Sequence, residues 1–204
     1  MSSIFLVFSM FVVFLLLTLA AAVRWVWHVI RHSSSGAASG TELGGPSTVS
    51  DVLLLVGVAT AWYSVAGGWA VQLIIYPIYA DFAPLGPEAF HAFSIGYSSR
   101  LPIPLLPIGV MCLAWVLLLW FPSRYVPQRT VWAIVGLCVA HIAVTPFAAI
   151  AQDQMRNHGF SESLYAQLMW SNGVRSVIFT LIGLLSLVAV RSRWTTRSNY
   201  EPGA

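Results

Sequence analysis

The chain carries very little charge: only 8% of its 204 residues are charged, and lysine is absent. A soluble globular domain has about 25% charged residues, so this composition is too poor in charge to cover a water-facing surface. By contrast, 58% of the residues are apolar, and the mean hydropathy is +0.78. The sequence therefore predicts that lipid covers most of the folded protein.

Cysteine is also scarce, and the two that occur, Cys112 and Cys138, lie inside apolar runs. This placement predicts buried thiols rather than a disulfide framework. His28 and His32 are four residues apart, but they flank arginines at the end of an apolar segment, so we interpret them as juxtamembrane surface residues and predict no metal site. The arginines sit singly at segment ends, which does not indicate a nucleic-acid partner.

Five apolar segments are long enough to cross a bilayer, which takes about 20 residues of helix. They are residues 4–23, 52–76, 101–121, 131–151 and 172–190. Backbone polar groups in lipid must be satisfied within the segment, which favours helices over open strands. The predicted fold class is therefore an all-α polytopic membrane protein with five transmembrane helices.

The segments differ in how they are joined, which predicts an accessory helix followed by a four-helix bundle. Residues 1–32 form the predicted anchor helix, 33–50 a cytoplasmic linker rich in serine and glycine, 51–191 the bundle and 192–204 a cytoplasmic tail. A cleaved signal peptide is the alternative for the first segment. Its uncharged start and long apolar run favour an uncleaved anchor.

The arginines predict the orientation of the chain, because positive residues are enriched on the cytoplasmic side. Seven of them fall on one side of the predicted membrane: Arg24, Arg31, Arg124, Arg129, Arg191, Arg193 and Arg197. Arg100 and Arg156 fall on the opposite side, and Arg175 lies within the fifth span. This distribution predicts an outside N-terminus and a cytoplasmic C-terminus, in a membrane of the bacterial inner-membrane type.

Two stripes at helical spacing predict which faces pack against protein. In the second span the stripe consists of small residues followed by two polar ones: Gly57, Ala61, Ser64, Gly68, Gln72 and Tyr76. Small residues let transmembrane helices approach closely. In the fifth span the stripe is Asn172, Arg175, Phe179, Gly183 and Ser186. Pro77 is predicted to end the second span at Tyr76.

Residues 87–100 lie between the second and third spans and predict a short amphipathic helix. Phe90, Phe93 and Tyr97 would share its apolar face. This helix is expected either to lie in the outer interface or to fold back over the bundle.

With this orientation, polar residues are predicted to converge on the outer half of the bundle. The candidate binding residues are Arg175, Asn172, Gln72, Tyr76, His91, Asp153 and His141. Arg175 is the most informative, because a charge inside a bilayer normally faces a partner or a wet cavity. Asp153 is its predicted partner, with Asp81 and Glu88 as alternatives. The histidines are candidates for proton transfer.

Five of these residues also have a purely structural interpretation. Arg175 would extend to the outer headgroups from one turn inside the membrane. His141 would form an interhelical hydrogen bond, and His91 would be an ordinary residue of an interfacial loop. Gln72 and Asn172 would do no more than hold two helices together.

Three short motifs resemble those of the anthrone oxygenase-like superfamily, a group of small four-helix membrane proteins. The motifs are Gln72 with Tyr76-Pro77, Phe90-His91 leading to Tyr97 and Arg100, and Asn172-Gly173-Val174-Arg175-Ser176. The last is similar to the group's Asn-x-x-Arg-Thr pattern, and the resemblance covers residues 59–191. The chain departs from the group at Asp153, where a histidine is common, and in the third span, which lacks an acidic residue.

Two hypotheses about function remain open at this point. The first is a polar small-molecule pocket in the outer half of the bundle, with an oxidoreductase-like activity as its enzymatic form. The second is a non-enzymatic structural or accessory subunit of a larger membrane complex, or a homo-oligomer. The sequence identifies neither a substrate nor a cofactor, and scattered acid–base candidates do not establish an enzyme.

Overall fold

The computed structural model describes residues 48–123 and 126–198, together with Ala20 and Arg24. These residues are helical apart from short connections, and four helical stretches are long and apolar enough to cross a membrane: Val49–Leu85, Pro87–Trp120, Gln128–His158 and Glu162–Arg191. The predicted first span and most of the linker lie outside the described residues, so the prediction of a fifth span stays a prediction.

The helices follow one another along the chain with few interruptions. Helix α1 is Thr48–Ala70, followed by a π-helical turn, Val71–Ile75, and by α2, Tyr76–Phe82. A 3₁₀ turn, Ala83–Leu85, leads to α3, Pro87–Arg100. The remaining helices are α4, Pro102–Trp120, α5, Gln128–His158, and α6, Glu162–Ser198.

The prediction that the helix ends at Tyr76 is wrong, because the chain continues as a helix through Pro77 to Phe82. Proline lacks an amide hydrogen and its ring clashes with the carbonyl group four residues earlier. The π-helical turn widens the backbone just before it, and the Tyr76 amide donates to the Val71 carbonyl oxygen, five residues back. The extra residue in that turn lets the helix accommodate the proline instead of stopping.

Two predicted boundaries also shift. Helix α1 begins at Thr48, inside the predicted linker, and α6 continues to Ser198, inside the predicted tail. The stretch Val49–Leu85 has 37 residues, which corresponds to about 55 Å of helix against a hydrocarbon core of about 30 Å. This stretch is therefore longer than a straight crossing of the apolar layer requires.

The four long helices pack in a ring. Helix α1 contacts α4 and α6, and α5 contacts the same two helices from the other side. Small residues allow this packing: an atom added at Gly57 would lie 3.1 Å from the Trp115 indole, and one at Gly183 would lie 3.0 Å from Val65. The buried small-residue stripe of α1 confirms that this face packs against protein.

Two apolar clusters fill the bundle. The larger one joins all four long helices and includes Trp115, Ile134 and Ile182. The second lies where α2 and α3 cover one end of the bundle, and it is rich in aromatic rings. Phe90, Phe93 and Tyr97 of α3 all meet the ring of Tyr79 edge-on, at centroid distances of 5.0–5.9 Å. The predicted helix and its shared aromatic face are thus confirmed, and the chain stays helical through Leu101 into α4.

The opposite end of the bundle holds the loop between α4 and α5. There the guanidinium group of Arg24 lies 5.2 Å from the centre of the Trp120 ring. This contact places Arg24 at the end of the bundle where α4 ends and α5 begins.

Both cysteines are free and buried, as predicted. Cys112 of α4 and Cys138 of α5 are hydrogen-bonded to each other across the helix interface. They belong to the larger apolar cluster.

Candidate functional site

Arg175 lies on the face of α6 that is turned towards the other helices. The predicted stripe on this helix is buried throughout, at Asn172, Arg175, Phe179, Gly183 and Ser186. Arg175 itself is only 8% exposed. An arginine extending to the headgroups would expose its guanidinium group, so this burial contradicts the structural interpretation of the residue.

The surroundings of Arg175 contain hydroxyl, amide and imidazole groups. Tyr76 of α2 and Tyr97 of α3 are near enough to interact electrostatically with the guanidinium group, and so is His141 of α5. The three residues come from three different elements that meet around α6. Arg175 Nε is buried and has no hydrogen-bond partner among the described residues.

The predicted ion pair between Arg175 and Asp153 is wrong. Asp153 forms its ion pair with Arg156, one turn later on the same helix, and it also accepts a hydrogen bond from Asn157 Nδ2 at 3.3 Å. Asp153 and Arg156 are both partly exposed. The spacing of three residues lets these two side chains meet on the helix surface, so Asp153 has no need to reach into the bundle.

The alternative acidic partners do not reach Arg175 either. Asp81 and Glu88 are exposed. The electrostatic neighbours of Arg175 among residues 48–123 and 126–198 are tyrosines and a histidine, and include no carboxylate. Arg175 is therefore buried without a carboxylate partner in that part of the chain.

Tyr76, Tyr97 and Gln152 form a hydrogen-bonded group above Arg175. Gln152 Nε2 donates to the Tyr76 hydroxyl oxygen at 3.2 Å. The Tyr76 and Tyr97 hydroxyl groups are hydrogen-bonded to each other, and Tyr97 is also hydrogen-bonded to Gln152. Because these groups belong to α2, α3 and α5, the packing of α3 against α2 and α5 is what completes the group.

Gln72 and Asn172 lie next to this group and join α6 to the π-helical turn. Asn172 is 3% exposed, and its Nδ2 donates to Gln72 Oε1 at 2.9 Å and to the Gly68 carbonyl oxygen at 3.3 Å. Gly68 has no side chain to block this approach: an added Cβ would lie 2.9 Å from Phe179 and 3.2 Å from Ser176 Oγ. The close contact of α1 with α6 therefore positions Asn172.

His141 lies on the side of Arg175 away from the aromatic end of the bundle. It is 4% exposed, and its ring packs on Phe179 with centroids 4.5 Å apart. Its Nδ1 has no hydrogen-bond partner among the described residues. The predicted interhelical hydrogen bond is therefore absent at this atom, and His141 adds a second unpaired nitrogen near Arg175.

His91 is separated from these residues. It is exposed, and its Nδ1 donates to the Arg156 carbonyl oxygen at 2.9 Å, which ties α3 to the end of α5. This contact fits the interpretation of His91 as a surface residue. Of the seven candidate binding residues, the structure brings together Arg175, Asn172, Gln72, Tyr76 and His141, and it leaves His91 and Asp153 at the surface.

The site contains Tyr97 and Gln152, whereas His91 and Asp153, which were predicted to belong to it, lie outside. Both were visible in the sequence as polar residues of the outer side, but neither carries a charge. Tyr97 belongs to the motif that begins at Phe90-His91, whereas Gln152 lies in none of the three motifs. Gln152 shares a helix face with His141 and Thr145. That spacing was the signal that could have placed it in the site. We call Arg175, His141, Tyr76, Tyr97, Gln152, Asn172 and Gln72 the Arg175 site.

No family model, curated protein or solved structure matches the chain. The resemblance to the anthrone oxygenase-like superfamily therefore stays a prediction from three short motifs. All three motifs contribute residues to the Arg175 site: Gln72 and Tyr76 from the first, Tyr97 from the second, and Asn172 and Arg175 from the third.

The hydrogen bond between Gln72 and Asn172 gives a measurable coupling. We expect the variants Gln72→Leu and Asn172→Leu to be non-additive, with a coupling free energy of about 0.6 kcal/mol and at most about 1.7 kcal/mol, the range found for interhelical hydrogen bonds in membranes. A double-mutant cycle of unfolding in detergent measures it. Additive effects would show that the two side chains do not meet in the folded protein.

Proposed function

We propose that this protein is a multi-pass membrane protein that binds a small polar molecule at the Arg175 site. The observation that carries the proposal is a buried arginine whose Nε has no partner and which forms no ion pair in the described part of the chain. Burying a charge without a partner costs several kcal/mol. A bound molecule with an acceptor atom offsets that cost, whereas a purely structural role for Arg175 leaves it in place.

The groups of the site suit binding better than they establish a reaction. Arg175 donates hydrogen bonds, the two tyrosines donate and accept them, and His141 offers a nitrogen that can hold or release a proton. If His141 transfers a proton to or from a molecule held by Arg175, the site is compatible with an oxidoreductase-like activity. We keep that activity as the enzymatic form of the proposal.

A test of the proposal compares what the protein retains on purification. The protein is isolated from native membranes in a neutral detergent, and the small molecules extracted from it are quantified by mass spectrometry. We expect a molecule bound at a fixed ratio to the wild-type chain and lost from Arg175→Gln. Losing a hydrogen bond to a charged group costs about 1.5–3 kcal/mol, which is about 10- to 150-fold in affinity.

Arg100→Gln is the matched control, because Arg100 is an exposed arginine on the same predicted side of the membrane. This variant is expected to retain the molecule. Equal amounts in the wild type and Arg175→Gln, or only bulk lipid in both, would contradict the proposal.

The alternative function is that of a non-enzymatic subunit of a larger complex. It is favoured by the direct pairing of several polar side chains: Asn172 with Gln72, and Gln152 with Tyr76. The same purification distinguishes the two, since a subunit copurifies with other chains in fixed stoichiometry and holds no Arg175-dependent molecule.

The orientation in the membrane is part of the proposal, and the arginine distribution supports it. We expect a membrane-impermeant maleimide to label Ser163→Cys in intact cells, but to label Gln128→Cys only after the membrane is opened. The two positions lie at the starts of α6 and α5, at opposite ends of the bundle. Both variants are made with Cys112 and Cys138 replaced by serine. The reverse labelling pattern would invert the proposed orientation.

A further inference from the structure

We infer that the molecule bound at the Arg175 site carries an acidic group that binds as an anion. This inference rests on the proposed function and narrows it to one class of ligand. It concerns the charge of the group that binds. A neutral acceptor such as an ester or ketone would accept the same hydrogen bonds but would carry no charge.

The first argument is the balance of charge around Arg175. Its electrostatic neighbours are two phenols and an imidazole, and the acidic residues near that end of the bundle are placed elsewhere. Asp153 is paired with Arg156, and Asp81 and Glu88 are exposed. A neutral ligand would satisfy Arg175 Nε but leave the positive charge uncompensated in an apolar bundle. An anion satisfies both requirements.

The second argument is that the unpaired polar atoms can donate hydrogen bonds to an oxygen anion. Arg175 Nε is a donor in every protonation state that arginine adopts in a protein. It is buried and unpaired, and so is His141 Nδ1, which donates in one tautomer of the neutral ring. The phenol hydroxyl groups of Tyr76 and Tyr97 are near enough to interact electrostatically with the guanidinium group. Groups that can donate to an anion therefore come from α6, α5, α2 and α3.

The third argument concerns the acidic residue that could have neutralised Arg175 within the chain. If the buried arginine were simply tolerated, Asp153 would be the nearest acidic side chain of α5 to neutralise it, yet Asp153 points to Arg156. The chain thus neutralises its surface arginine and leaves the buried one open. This arrangement is the expected one if Arg175 receives its counter-charge from outside the chain.

Calorimetric titration of the purified protein in a neutral detergent tests the inference with four probes. Acetate and inorganic phosphate represent free anions, decanoate represents the acidic head of an amphiphile, and methyl decanoate is its neutral counterpart. We expect at least one anion to bind, and decanoate to bind about 100-fold more tightly than methyl decanoate if the source is an amphiphile. Binding of acetate or phosphate alone would identify a free anion as the source.

Two variants show whether the binding occurs at Arg175. Arg175→Gln is expected to abolish it, and Arg100→Gln to leave it unchanged. Since Arg175→Gln removes a buried charge and its folding is uncertain, Arg175→Lys is measured as well. It keeps the charge without the Nε donor, and we expect it to bind the anion about 10-fold more weakly than the wild type.

The inference and the proposed function fail in different ways. If methyl decanoate binds as tightly as decanoate and depends on Arg175, the inference is overturned while the binding site stands. If none of the three anions binds to the wild type, or if they bind equally to Arg175→Gln, the inference is also overturned. The extraction from native membranes then decides on the proposed function independently.

Discussion

Replacing Gly68 with leucine is expected to lower the free energy of unfolding by about 2–3 kcal/mol, because the helices α1 and α6 cannot separate without losing contacts on both sides. A Cβ atom at this position would lie 2.9 Å from Phe179 and 3.2 Å from Ser176 Oγ, before any further side-chain atoms are added. The Gly68 carbonyl oxygen also accepts a hydrogen bond from Asn172. Thermal or SDS-induced unfolding in detergent micelles measures the loss.

Gly67 provides the control one residue away on the same helix. An added Cβ there would have no atom within 4 Å, so Gly67→Leu introduces the same side chain without a clash. Its expected effect is neutral or slightly stabilising, because leucine favours helix over glycine by up to about 1 kcal/mol. Equal losses from the two substitutions would show that α1 does not approach α6 through Gly68.

Replacing Trp115 with alanine is expected to cost about 3 kcal/mol. Trp115 is fully buried in the larger apolar cluster, and its indole packs on Gly57 of α1. Lipid is as apolar as the bundle interior, so most of the loss comes from the cavity rather than from transfer out of water. At about 24 cal/mol per Å³, vacating somewhat more than ~100 Å³ gives this magnitude.

Trp170→Ala is the corresponding control, because Trp170 is 63% exposed and its removal opens no cavity. We expect it to change the free energy of unfolding by less than about 0.5 kcal/mol. The same unfolding assay applies to both variants. A larger loss from Trp170→Ala than from Trp115→Ala would mean that the packing of α4 against α1 is not as described.

The faces that pack against protein were predictable because helical spacing alone determines them. The stripes on α1 and α6 are buried as predicted, and the helix between the second and third spans has the predicted bounds, Pro87–Arg100. In each case the residues recur every three or four positions, and a helix must place such residues on one side. No knowledge of the neighbouring helices is needed for that inference.

Predictions that depended on a choice between competing partners were less successful. Asp153 could have paired with either of two arginines. It pairs with Arg156, three residues later on its own helix, and not with Arg175. His91 was assigned to the site because its segment lies on the predicted outer side, but α3 packs its aromatic face on Tyr79 and leaves His91 exposed. The continuation of the helix through Pro77 depends on a π-helical turn, and the sequence of residues 71–75 contains no signal that predicts such a turn.

The ligand at the Arg175 site is inferred from the polar atoms that find no hydrogen-bond partner in the described part of the bundle. Gln72, Asn172, Gln152 and the tyrosines find partners within the described part of the chain, and these contacts explain how α1, α2, α3, α5 and α6 are held in register. Arg175 Nε and His141 Nδ1 are the atoms of the site that such packing does not explain. A ligand with an acceptor group accounts for both.

A density map of the full-length protein purified from native membranes would test this claim most directly. The account predicts that Arg175 remains buried against α2, α3 and α5, with non-protein density within hydrogen-bonding distance of its Nε, about 3 Å away. It would be contradicted by a map in which the guanidinium group pairs with a carboxylate of the chain, or extends to the lipid headgroups, with no density beside it.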